Sequence, residues 1–168
     1  ANESIISGNV FRELLTVSCV IPNLSAAMIR REMYDKINGL SNKYYMASDW
    51  CFWLELSEIT NFLYLSQPLN NFRQHSTTIR SKTKIVNHLK EIFNVFQNHI
   101  EKYKITGKVK SQFYVGFGNI WFTYFIESPL VVSKSIFEIL AHTASKQKSI
   151  FYYFIIGIFT KIKSIIIK

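Results

Sequence analysis

A chain of 168 residues is long enough to bury a sizeable core, and a composition 48% hydrophobic and 15% aromatic excludes a disordered polypeptide. Only 18% of residues are charged, against roughly 25% in average domains, and 20 Lys plus Arg against 11 Asp plus Glu leave a net charge of +9 that favours anionic partners. Cys19 and Cys51 show neither Cys-x-x-Cys nor Cys/His ligand spacing, which excludes a disulfide framework and a zinc module and suits two small core residues in a reducing cytoplasmic setting.

Up to about residue 80 the pattern alternates between short strands and helices. Leu15–Ile21, Ala26–Ile29, Phe62–Leu65 and Leu69–Arg73 read as strands, with Pro68 interrupting the last two. Arg31–Asn38 reads as a helix stopped by Gly39, where a left-handed cap suits glycine. The expectation is a mixed α/β module.

Met46–Glu55 is the most informative stretch. At 3.6 residues per turn, Met46, Trp50, Trp53 and Leu54 share one face, which pins the segment into a core and leaves Asp49 in its first turn. Such a carboxylate either presents itself rigidly to a cleft or, like Ser48, caps the helix.

Beyond residue 80 the spacing turns helical. Ile85, Leu89, Ile92, Phe93, Phe96, Ile100 and Tyr103 predict one long amphipathic helix, Gly107 punctuates it, and Val109–Glu127 forms a second. Ser128 and Pro129 supply the cap and first residue of a third. The aromatic stripes Phe93/Phe96 and Phe117/Trp121/Tyr124/Phe125 suit contacts between helices, and His88, His99 and His142 lack a partner motif.

The tail is uncharged from Ile150 to Phe159, too short for the roughly 20-residue apolar span of a bilayer crossing. Five lysines and no acid between Lys146 and Lys168 leave three readings open: an interfacial helix on an anionic membrane surface, an ordinary bundle helix, or, least favoured by the length, a membrane span. Nucleic acid is not an expected partner, because the remaining basic residues scatter around helix ends and no reading motif accompanies them.

Three blocks, Pro22-Asn-Leu-Ser-Ala-Ala-Met-Ile-Arg30, Ser48-Asp-Trp-Cys-Phe-Trp-Leu54 and Gln67-Pro-Leu-Asn-Asn-Phe-Arg-Gln-His75, stand in an order and spacing that resemble the acceptor-side half of family-2 inverting glycosyltransferases of GT-A fold. The second block is similar to the family's acid-Asp-Trp-x-x-Trp-Leu segment and the third to its Pro-Leu-x-x-Tyr-Arg-x-His strand. Ser48 stands where many relatives carry Glu, and Phe72 where Tyr is frequent. No Asp-x-Asp triplet occurs, and the sugar-nucleotide half is missing, so the chain reads as a fragment or as a separately expressed polypeptide.

The resemblance implies an α/β fold: a partial GT-A-like mixed-sheet module over residues 1–80, a helical extension over 81–148 and a basic apolar tail over 149–168. It implies transfer of a sugar from a nucleotide-sugar donor to a glycan or lipid-linked acceptor with inversion, in surface glycan synthesis at the cytoplasmic face of the cell membrane. Asp49 would be the catalytic base, Arg73 and His75 would meet the diphosphate, with His75 a candidate metal contact, and Trp50 would stack on sugar; Arg73 pairing with a carboxylate such as Asp49 or Glu55, with His75 ending the strand, stays equally open. Asn23, Ser25 and Arg30 suit structure better than the acceptor cleft. A divalent cation, Mg or Mn, is expected for the complete enzyme, with its main ligands outside this chain, so the isolated chain is expected to be inactive. The rival expectation is a noncatalytic, membrane-associated helical interaction protein. In either case a missing half or another chain would cover the exposed sheet edges.

Overall fold

The computed structural model describes residues 3–21, 23–71, 82–127, 129–130, 132–133 and 148–167, with the side chains of 82–85 and 148–150 excepted. The contacts separate into two compact units, Ala1–Ile79 and Arg80–Lys168. The described residues are mostly helical, with one two-stranded antiparallel sheet in the first unit. That is an α/β arrangement with a helical part.

The first unit opens with β1 (Glu3–Ile6) and α1 (Gly8–Val17). Ser7 caps α1, its Oγ accepting the Val10 N–H at 3.4 Å. After a 3-10 turn at Leu24–Ala26 come α2 (Arg31–Lys36), α3 (Ser48–Ile59) and β2 (Phe62–Leu65). β2 pairs with β1, Glu3 facing Leu65 and Ile6 facing Phe62. Phe62 stacks on Phe11 of α1 with ring centroids 3.7 Å apart, which fixes the strand pair against that helix.

Strand β2 falls on the residues expected for it, but other strand expectations need correction. Leu15–Ile21 holds the end of α1 and the bend after it. Phe11 and Leu15, four apart, share its buried face, and that helical period outweighs the β-branched Thr16 and Val17. Ala26 ends the 3-10 turn, and Ala27–Ile29 carries no regular structure and pairs with no described strand. Leu69–Asn71 carries no strand either; Leu69 closes a tight turn by donating its N–H to Gln67 O at 2.9 Å, while Phe72 and Arg73 lie outside the described residues. β1 was not expected at all.

Helix α2 ends as anticipated, though two residues earlier. Asn38 (φ 58°) and Gly39 (φ 71°) both adopt left-handed backbone, and the Gly39 N–H bonds to Tyr34 O at 3.0 Å. Helix α3 is the centre of the unit. Phe52 and Leu56 are buried along with Trp50, Trp53 and Leu54, so its apolar surface is wider than the one face expected. Phe52 meets Tyr34 of α2.

The second unit contains α4 (Lys82–Lys102), α5 (Gly107–Glu127) and α6 (Lys148–Ile166). Residues 129–130 and 132–133 are helical too. Gly107 separates α4 from α5 with φ 62°. The predicted aromatic stripes do pack between helices: Phe96 stacks on Phe113 at 4.8 Å and Phe93 meets Phe117 at 5.3 Å. Helix α6 lies against α5 through glycines. A Cβ on Gly118 would run into the Phe154 carbonyl, and one on Gly157 into the Val115 carbonyl.

Candidate functional site

The mouth of α3 is built from Ala47, Ser48, Asp49 and Trp50. Ala47 occupies the capping position and is buried, so no side chain performs the N-cap role. The backbone N–H groups of the first turn therefore need other acceptors. Asp49 supplies one: its Oδ1 accepts the Trp50 N–H at 2.7 Å. A carboxylate at this end also opposes the positive pole of the helix. Asp49 is half-buried, and among the described residues Oδ2 makes no hydrogen bond. One oxygen is thus held by the helix while the other remains available to accept a proton or a hydroxyl.

Trp50 packs inward rather than facing an open cleft. It is 8% exposed, and its indole N–H donates to Leu15 O at 2.9 Å, occupying one of the carbonyls that the end of α1 leaves unpaired. Its single polar atom is spent on the fold, which is a core position and not a platform for a sugar ring.

The bond between Trp50 and Leu15 brings the end of α1, and the chain that follows it, to the mouth of α3. Cys19 sits there. Its thiol donates to Ile21 O at 3.0 Å, and its pKa is raised, first by the protein surrounding the sulfur and then by the negative charge of Asp49. Cys19 is an exposed residue and Cys51 is half-buried, donating to Glu55 Oε1 at 3.5 Å, so neither is the buried core cysteine expected. The sequence carried no signal for the Cys19–Asp49 neighbourhood. Reading 15–21 as a strand concealed it.

Parts of the first and third sequence blocks also meet. Asn23 Oδ1 accepts the Ser25 hydroxyl at 2.6 Å and the Asn70 side-chain N–H at 3.4 Å. These bonds close the loop after the 3-10 cap, which is the structural role expected for Asn23 and Ser25. Arg30 is exposed before α2, while the adjacent Arg31 pairs with Asp35 at 3.0 Å on the surface. Arg73 and His75, the expected diphosphate contacts, lie outside the described residues.

Among the described residues no group of three His, Cys, Asp or Glu could hold a metal ion. The site offers one carboxylate and a thiol, whereas Mg or Mn requires several oxygen donors. Among the described residues no cation site is formed. The polar depression between the two helices, lined by Ser7, Asn9, Glu58, Thr60 and Asn61, lies at the other end of α3, roughly 15 Å along the axis from Asp49. Comparison with known proteins finds no matching family, no matching curated protein and no matching solved structure.

Proposed function

We propose that the chain is the acceptor-side part of an inverting glycosyltransferase of GT-A type, which moves a sugar from a nucleotide carrier to an acceptor hydroxyl in glycan synthesis. The observation that carries the reading is Asp49: a half-buried carboxylate fixed through Oδ1 to the first turn of α3, with Oδ2 unengaged among the described residues. The three-block resemblance supplies the chemistry.

An alcohol is a weak nucleophile until its proton is taken. Asp49 accepts that proton as the acceptor oxygen attacks the anomeric carbon from the face opposite the departing nucleoside diphosphate, and the configuration inverts. The role needs position more than a displaced pKa. Buried Trp50 and Trp53 behind the carboxylate hold the helix still, so the geometry costs little to maintain during attack. Arg73 and His75 are proposed to meet the developing charge on the diphosphate. Divalent-cation ligands and the sugar-nucleotide pocket belong to the remainder of the enzyme, which acts at the inner face of the cell membrane.

The test is sugar transfer by the parent polypeptide, identified from the coding sequence upstream of Ala1. Asp49→Asn should lower kcat by about 10²–10⁴-fold with the fold intact. Transfer undiminished by Asp49→Asn would overturn the reading, as would turnover of a nucleotide sugar by the 168-residue chain alone. A second reading, a noncatalytic membrane-associated helical protein, is favoured by the apolar surface left exposed on α6.

A further inference from the structure

Helix α6 is apolar on two opposite faces; among the described residues one packs on α5, while the other holds exposed Tyr152, Phe159 and Ile166 beside half-buried Ile155 and Ile162. Phe154 and Gly157 turn inward. The Phe154 ring meets Phe117 and Trp121 at 6.1 and 5.5 Å, and the Gly157 backbone approaches α5 too closely for a side chain. At 100° per residue, the face turned away from α5 carries Tyr152, Ile155, Phe159, Ile162 and Ile166, spaced 3-4-3-4. Tyr152 is 64% exposed, Phe159 59% and Ile166 75%. A helix apolar all round belongs in an apolar environment, and here half of it faces outward.

We infer that this outer face of α6 docks on an anionic lipid surface, lying in the interface rather than crossing it. Three observations select that occupant. First, no helix among the described residues is long and apolar enough to cross a membrane. Second, the stripe mixes aromatic and isoleucine side chains, with Phe151 beside it and Ile165, Ile166 and Ile167 exposed around the last turn; this composition suits the boundary between headgroups and acyl chains. Third, the charge is one-sided. Lys163 is exposed at the edge of the stripe, and from Lys146 to Lys168 the sequence holds five lysines and no acid.

That charge pattern argues against pairing of two copies through α6. Lysines stand at both ends of the segment, so parallel and antiparallel pairing of two α6 helices would each bring like charges together without an acid to relieve them. Anionic headgroups complement the same lysines, and Lys163, exposed beside the apolar stripe, has a stem long enough to reach them. The inference does not rest on sugar transfer: it uses no residue of the Asp49 site.

The experiment is flotation of the full chain with vesicles of phosphatidylcholine alone and with phosphatidylglycerol added, at low and high salt. The chain should float with the anionic vesicles and largely remain behind with the neutral ones. Phe159→Ser with Ile166→Ser, both facing away from α5, should reduce the bound fraction at least about tenfold while the circular dichroism is unchanged. Lys163→Glu should weaken the preference for anionic vesicles and its salt dependence, and Asp49→Asn should leave flotation as it was. Failure of the wild type to float, or flotation undiminished in the Ser pair, overturns the inference. So does a wild-type dimer by light scattering that the Ser pair converts to monomer, since that assigns the face to a second copy.

Discussion

Trp50 and Leu15 are joined by a hydrogen bond from the indole N–H to the backbone carbonyl, 2.9 Å long and fully inside the first unit. It links the first turn of the helix bearing Asp49 to the last turn of α1. Replacing Trp50 with Phe keeps most of the apolar contact but leaves the Leu15 carbonyl buried and unpaired, at a cost of about 1–3 kcal/mol. Urea denaturation of Trp50→Phe should show a lower midpoint with the slope retained. An unchanged midpoint would mean that the bond does not hold the mouth of α3 in place.

Cys19 reports on Asp49. The thiol pKa is raised by its surroundings and, next, by the Asp49 charge, so the folded protein keeps this proton at pH values where the unfolded chain has begun to lose it. Stability conferred by this group is therefore constant below the ordinary thiol range and falls as pH rises through it. The rate of iodoacetamide labelling against pH should reach its midpoint above that of an ordinary thiol, and Asp49→Asn should move the midpoint down. A midpoint insensitive to Asp49→Asn would separate the two side chains.

The contrast between α3 and its surroundings explains what was legible in the sequence. Trp50, Trp53 and Leu54 announce a buried helix by spacing alone, and Gly39 announces the stop of α2, because each signal is local. β1 was not legible: Glu3–Ile6 has four residues and becomes a strand only by pairing with β2, some sixty positions later. Leu15–Ile21 misled for the opposite reason, a β-branched pair at the end of a helix whose cap, Ser7, lies eight residues earlier. The proximity of Cys19 to Asp49 depends on the α1–α3 packing and has no counterpart in either segment's pattern.

Gly8 and Gly107 should respond oppositely in mechanism to the same substitution. Gly8 is helical, so Ala would gain up to about 1 kcal/mol of helix propensity, yet its Cβ would meet the carbonyls of Ser57 and Thr60. The collision wins, because both obstacles are backbone: Gly8→Ala should lose about 1–3 kcal/mol. At Gly107 nothing lies within 4 Å of an added Cβ, and only the left-handed backbone at φ 62° resists, at about 1 kcal/mol. Thermal melts of the two variants test the ranking, and a stabilised Gly8→Ala would refute the close approach of α1 to the end of α3.

Tyr114 ties α5 to α4 by donating its hydroxyl to Gln97 Oε1 at 3.0 Å from a buried position. Burial, and after it the charge of Glu101, pushes its pKa well above the ordinary tyrosine value. Below pH of about 10 the folded and unfolded phenols are both protonated and the contribution is constant. Above it the unfolded chain releases its proton while the folded one does not, so the unfolded state is favoured and stability falls. Tyr114→Phe removes the hydrogen bond, costing about 1 kcal/mol at neutral pH, and also removes this alkaline loss. The stability difference between wild type and Tyr114→Phe should therefore shrink as pH is raised from 8 to 11, measured by denaturant titration at each pH. A gap that stays constant across that range would mean that the phenol ionises as easily in the folded protein as outside it, and that the α4–α5 contact is wetter than its burial implies.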